Sequence, residues 1–315
     1  MTSKVPSNFT TITITKSELY NYSSLFQAEK SHLKDQPTKR AAMWLLWSLS
    51  LAAASFRVPA TGEVVRNFKT CTQFFLNQKP PKLSLMPKNL ATICQYYQGK
   101  YLFATMYDKE RHIPLFSAYK YQPGGRRRKD EWKIEPQLAL PWERRQRSME
   151  AEETCKINHR LLANSQALSE DYKQTSIYDR GHLLPVSHQP DREGKAATFT
   201  LTNIVPQFRR LNQGKWAEYE RNMKKYTKGC VNTYVLVGAV PGDQFIARGR
   251  VNIPSHIWAA ACCVSKHNQK KSWAVIAANN QTLVIWHSLK QLETELAACY
   301  GKKEINLFNG ACYSG

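Results

Sequence analysis

The period of apolar and polar positions changes several times along the chain, and each change marks a different element. Runs rich in β-branched and aromatic residues, bounded by Gly, Pro or Asn, occupy residues 101–107, 114–121, 231–240, 273–278 and 282–286. Each predicts a strand. Over 213–228 the period lengthens, with Trp216, Tyr219, Met223 and Tyr226 recurring at three- and four-residue steps. This predicts an amphipathic helix stopped by Gly229. A second helix is predicted after Ser288, with Leu289, Leu292 and Leu296 on one face and Ser288 and Gln291 at the spacing of a capping box. Strands and helices do not alternate regularly, so the expected class is α+β.

One stretch carries no helical stripe. Residues 41–56 are uncharged and, at 16 residues, fall short of the roughly 20 that a membrane-spanning helix needs. Lys39 and Arg40 precede the apolar core around Trp44, Leu45, Leu46 and Trp47, and Ala52, Ala53, Ala54 and Ser55 follow it. That is the layout of a secretory signal peptide, with Met43 as a natural start. A buried helix is the competing assignment, but a run apolar on all sides does not suit one. The expected organisation is therefore a disordered leader or mis-extended N-terminus over 1–42, a signal peptide over 43–56, and one domain over 57–315. No repeat and no Gly-, Ser- or Pro-rich linker divides that last segment. No stable membrane anchor is expected.

Composition adds the partner. The hydrophobic share of 42% supplies a core and excludes a disordered basic tail or a collagen-like chain. The formal charge is +21, and 39 basic against 21 acidic side chains, hence +18, fall in residues 57–315. A polyanion is the expected partner. All eight cysteines follow residue 56, and none forms a C-x-x-C pair of the zinc-ribbon type. An even count behind a signal-like segment predicts disulfides and a secreted, extracellular protein. Neighbouring Cys262 and Cys263 must take different partners. The basic run Arg126, Arg127, Arg128 and Lys129, preceded by Pro123, Gly124 and Gly125, predicts a loop tip between strands that is either a solvated loop or a phosphate contact.

The chemistry concentrates between residues 178 and 220. Asp179-Arg180-Gly181-His182 comes first, then Thr202-Asn203-Ile204-Val205-Pro206-Gln207, then Leu211-Asn212-Gln213-Gly214-Lys215-Trp216, with Glu220 beyond. These three pieces, in this order, resemble the DNA/RNA non-specific endonuclease family of ββα-metal, or His-Me finger, nucleases. The wider chain, with Cys71-Thr72-Gln73-Phe74-Phe75 and Trp142-Glu143, looks like its secreted vertebrate branch of endonuclease domain-containing proteins. The implied fold is a mixed or antiparallel sheet packed with helices.

The resemblance assigns roles residue by residue. His182 matches the general base, and an imidazole titrating near pH 6.5 is suited to take a proton from water. Asn212 matches the sole protein ligand of a Mg²⁺ ion, for which Mn²⁺ is a possible substitute; one neutral oxygen suffices because the ion keeps its waters. Glu220 matches a glutamate that orders metal-bound water, eight residues on and about 80° round a continuous helix. Arg180 is expected either to stabilise the phosphate or to brace the motif, with Asp179 and Gly181 structural. Asn203 and Gln207 are expected to tie the base-bearing strand to the metal helix. Plainer readings exist: Asn212 as a helix N-cap, Glu220 as a surface carboxylate paired with Lys224, and His182 as a buried structural histidine; His188 is not expected as a second ligand, because Pro185 breaks regular structure between the two.

Two functions follow from these features. The first is a secreted, metal-dependent endonuclease that hydrolyses DNA and RNA with little sequence preference. The second is a catalytically inactive secreted module that binds nucleic acid or sulfated glycan through charge alone. Base and metal ligand at the family spacing favour the enzyme, since a binder needs neither.

Overall fold

A computed structural model describes residues 64–83, 89–124, 131–140 and 148–313 of the chain. They fall within one compact unit, Thr61–Gly315, while the other unit, Met1–Ala60, lies outside the described residues. The expected leader, the signal segment and the basic run Arg126–Lys129 therefore lie outside them as well.

In chain order the strands are β1 (Val64–Val65), β2 (Leu90–Tyr97), β3 (Lys100–Asp108), β4 (Ile113–Lys120), β5 (Tyr178–His182), β6 (Ile204–Phe208), β7 (Asn232–Val240), β8 (His256–Val264), β9 (Lys270–Ala278) and β10 (Ile285–His287). Short two-residue and three-residue ladders besides these close loops. All but β5 and β6 join one antiparallel sheet in the order β1-β2-β3-β4-β7-β8-β9-β10. The β2–β3 turn needs only Gln98 and Gly99, both at positive φ (48° and 82°), the conformation whose twist matches that of the flanking strands.

Alternate side chains of this sheet enter two cores. Phe116, Leu236, Trp258 and Ile276 face one, which is closed by helix α3 (Leu289–Cys299) and by residues 68–76 and 305–312. Tyr119, Val237, Ile257 and Val275 face the other. The second core is closed by the β5–β6 pair and by helices α1 (Arg209–Gln213) and α2 (Lys215–Tyr226), through Leu183, Leu184, Val205, Leu211, Trp216 and Met223. The fold is α+β, as expected, and the site rides on this second face.

The strand runs expected at 101–107, 114–121, 231–240 and 273–278 form with small shifts of their ends, and that expected at 282–286 is shorter, Ile285–His287. Two central strands gave no such signal. The middle of β8 reads Ala259-Ala260-Ala261-Cys262-Cys263, small residues with little strand preference, yet all are buried between two cores where close packing decides. The capping box of α3 forms both bonds: the Ser288 amide donates to Gln291 Oε1 at 2.8 Å, and the Gln291 amide to Ser288 Oγ at 3.3 Å. No helix among the described residues is long and apolar enough to cross a membrane.

Six cysteines pair, as Cys71–Cys94, Cys230–Cys263 and Cys262–Cys312, while Cys155 is half-buried and unpaired and Cys299 is exposed and unpaired. Cys262 and Cys263 do take different partners, because consecutive strand residues point to opposite faces. Thiol titration of the denatured, unreduced protein should find two thiols per chain, those of Cys155 and Cys299; most of the eight titrating would overturn the pairing.

Candidate active site

Strands β5 and β6 pair antiparallel, with Asp179 opposite Gln207 and His182 opposite Ile204. Helix α1 begins directly after β6, so two strands and a helix follow one another as ββα. The pleat places Asp179 and Gly181 on one face of β5 and Arg180 and His182 on the other.

On the first face the Asp179 carboxylate accepts from three side chains of α1: Arg209 Nε at 2.8 Å, Asn212 Nδ2 at 3.1 Å and Gln213 Nε2 at 2.9 Å. Burial pushes this carboxyl up, but the Arg209, Asn212 and Gln213 donors outweigh it and hold the group below its usual value. The bond fixes the Asn212 amide with its nitrogen on the strand, leaving the carbonyl oxygen as a free donor atom. The helix-cap reading of Asn212 fails, because Asn212 lies inside α1, whose N-cap is Phe208. Gly214, with φ −102° and ψ −113°, then breaks the chain before α2 starts. Asn212 and Glu220 thus sit on two helices, and the 80° argument for a shared face does not apply.

Gly181 is required by its neighbour. A Cβ there would collide with the Cβ and Oε1 of Gln207, whose buried side chain crosses the strand at this point. Gln207 therefore packs within the strand pair.

On the second face the guanidinium of Arg180 lies 4.7 Å from the Trp132 ring and 5.6 Å from that of Tyr172, and Nη2 donates to the Ser169 carbonyl at 2.8 Å. Burial lowers its pKa, while Tyr172 and Glu152 nearby raise it. The His182 ring packs at 5.0 Å, edge-on, against Phe199 and at 5.9 Å from Trp132. Trp132 is thus shared by Arg180 and His182. Neither Trp132 nor Phe199 was singled out from sequence, where each is one aromatic among many.

The expected amide bridge from Asn203 to the metal helix is not what forms. Asn203 Nδ2 donates to the Leu184 and Thr198 carbonyls, both at 3.1 Å, and Oδ1 accepts from the Leu184 amide at 3.0 Å and Ser117 Oγ at 2.9 Å. Its hydrogen-bonding capacity is filled. It holds the chain after His182 onto β4, where Ser117 meets Thr105 of β3 at 3.2 Å. Asn279, also unremarked in the sequence, anchors β6: Oδ1 accepts from the Phe208 amide at 2.9 Å, and Nδ2 donates to the carbonyls of Pro206 and Pro254, each at 2.9 Å. The only sequence cue was the Asn279-Asn280 pair after a strand-like run.

His188 is a core histidine, buried against β4 and α2. Burial lowers its pKa to about 4, against the small opposing pull of the Glu220 carbonyl. The ring is neutral, so Nε2 donates to the Glu220 carbonyl at 3.0 Å and Nδ1 accepts from the Tyr119 hydroxyl at 2.9 Å. Burial pushes the Glu220 carboxyl up to about 8, with Trp216 and Arg221 pulling it down less strongly. The surface ion pair with Lys224 is absent among the described residues. Among those residues no group of three or more His, Cys, Asp or Glu is placed to hold a metal ion. A lone amide oxygen instead suits a hard cation that keeps most of its water shell.

Comparison with known proteins adds to this geometry. The family described as DNA/RNA non-specific endonuclease matches residues 84–310. Endonuclease domain-containing 1 protein of Homo sapiens is 34% identical over 231 residues, which cover 70% of this chain and 44% of that protein. Endonuclease G, mitochondrial, of Homo sapiens is 29% identical over 109 residues, covering 30% of this chain and 36% of that one. The chain spans less than half the length of these relatives. A crystal structure of an EndoG/EndoGI complex is similar at a TM-score of 0.46 and 18% identity, covering 64% of this chain and 84% of that one.

Two predictions follow from the packing. Gly181→Ala should destabilise the protein by about 1–3 kcal/mol, the usual cost of overpacking, and Gln207→Ala in the same chain should recover most of it; melting temperatures of the three variants decide. Glu220 keeps its proton in the folded state well above the pH, about 4.3, at which the unfolded chain loses it. Stability contributed by this group therefore falls as pH rises from there to about 8. The gain in melting temperature from Glu220→Gln should accordingly grow between pH 5 and pH 8, and a gain independent of pH would contradict the assignment.

Proposed function

This chain belongs to the DNA/RNA non-specific endonuclease family, and from that premise we propose that it is a secreted, magnesium-dependent endonuclease cleaving DNA and RNA with little sequence preference. The observation that carries the reading is the Asn212–Asp179 bond, which holds one amide oxygen free beside the strand that bears His182.

In this reading Asn212 Oδ1 is the protein's one ligand to the ion, Mg²⁺ with Mn²⁺ as an alternative. The bound ion supplies positive charge to the scissile phosphate and the departing 3′-oxygen. His182 accepts the proton of the attacking water. Arg180, held over Trp132 and Tyr172, contributes fixed positive charge on the same face as His182. The Glu220 carboxyl, raised to about 8, orders water at the site. The +18 charge of residues 57–315 binds phosphate without reading bases, which suits both nucleic acids and predicts strong salt dependence. Three disulfides support an oxidising compartment and hence the secreted assignment.

The test is plasmid cleavage with and without EDTA. His182→Ala should abolish hydrolysis and keep DNA binding. Asn212→Ala should lower turnover at least 100-fold, the order expected when a group that positions the chemistry is lost, with a modest drop in melting temperature from the missing Asp179 bond. If Asn212→Ala, below its melting point, cuts as fast as wild type at the same Mg²⁺, the metal assignment is wrong.

A further inference from the structure

The far side of α2 carries features that the active site does not use. Trp286, on edge strand β10, is 48% exposed, although its ring meets Tyr226 at 5.0 Å and Tyr219 at 5.9 Å, both edge-on. Tyr226 in turn lies 6.2 Å from Trp273 of β9. Trp286 pairs with Val275, whose side chain enters the core beneath the β5–β6 pair, so the aromatic row lies on the site-bearing face of the sheet.

The chain segments that carry this row are basic, although His287 beside Trp286 pairs with Glu295 at 2.6 Å. Residues 221–242 and 244–292 contain no Asp or Glu. Exposed Lys224, Lys225 and Lys228 lie at the end of α2. Lys271 of β9, on the same face as Val275 and Trp286, reaches that end, with Nζ 3.4 Å from the Lys228 carbonyl. A half-exposed indole braced by two tyrosines and rimmed by lysines offers a flat stacking surface for a base and cations for the phosphates beside it. A duplex presents no free base face, whereas a single strand does.

We propose that Trp286, with Lys228 and Lys271, forms a second binding site for single-stranded nucleic acid, which holds the substrate strand away from the cleavage centre. This rests on the endonuclease reading and extends it to strand preference. Helix α2 joins the two sites; its 12 residues span about 18 Å, or roughly five stacked nucleotides at about 3.4 Å each. Substrates shorter than that do not reach both.

The test is fluorescence anisotropy of a labelled 20-mer of thymidylate and of a 20-bp duplex, on the full chain in EDTA so that nothing is cut. Trp286→Ala should weaken binding of the single strand roughly tenfold and of the duplex less than twofold. Trp286→Phe should recover most of the loss. Lys228→Ala with Lys271→Ala should weaken both ligands and reduce the salt slope by about 1–2. Hydrolysis of bis(p-nitrophenyl) phosphate should be unchanged in Trp286→Ala. Single-strand binding within twofold of wild type in Trp286→Ala, or an equal loss for both ligands, overturns the proposal. So does a shift of wild-type dimer to monomer in that variant on size exclusion, which would make the β10 edge a contact between copies. If wild type binds the single strand through Trp286 but never cleaves, the endonuclease reading falls and this site stands; if it binds neither ligand, both fall.

Discussion

The carboxylate of Asp179 couples a strand to a helix, and the chemistry of the site rests on that coupling. Three donors from α1 converge on it, so the direction of the helix and the orientation of the Asn212 amide are fixed by one group on β5. Hydrogen bonds to a charged acceptor contribute about 1.5–3 kcal/mol when shielded, and less at a half-exposed partner such as Arg209. Because the carboxyl is held below its usual value, the clamp is complete above the ordinary carboxylate pKa and loosens only as pH falls through the lower folded value.

Behind the clamp, neutral polar groups fix the strand pair to the sheet. Asn203 and Asn279 each satisfy backbone groups that the irregular connections leave over, in places where an unpaired amide or carbonyl would cost stability. His188 joins Tyr119 of β4 to a carbonyl of α2 and stays uncharged because burial lowers its pKa. The groups that tie the strand pair to the sheet at these points, Asn203, Asn279 and His188, are thus uncharged.

The motif residues were legible because their types and spacing are unusual; the supporting residues were not, because their meaning lies in contacts distant in the chain. Asp179, Arg180 and His182 stood out as a tetrapeptide with Gly181, whereas Trp132 meets His182 from 50 positions away and shares no pattern with it. Helix α2 showed in its apolar steps, but the break at Gly214 did not, since Gln213 to Lys228 reads as one amphipathic run. The strands rich in Val, Ile and Tyr were visible, and β8, made of Ala and Cys at its centre, was not, because burial on both faces and not local preference makes it a strand.

Strand β8 has another property through its adjacent cysteines. Cys262 bonds to Cys312 and Cys263 to Cys230, one on each side of the sheet. Exchanging these partners is not a local error: it requires β8 to turn its other face to each layer, a one-residue slip against β7 and β9 that would carry Trp258 out of its core together with every alternate neighbour. Covalent proofreading and strand register are therefore the same event in this protein. A mispaired isomer is a misregistered sheet, and its tryptophan, moved from one core to the other, would distinguish it from the native molecule before any activity was assayed.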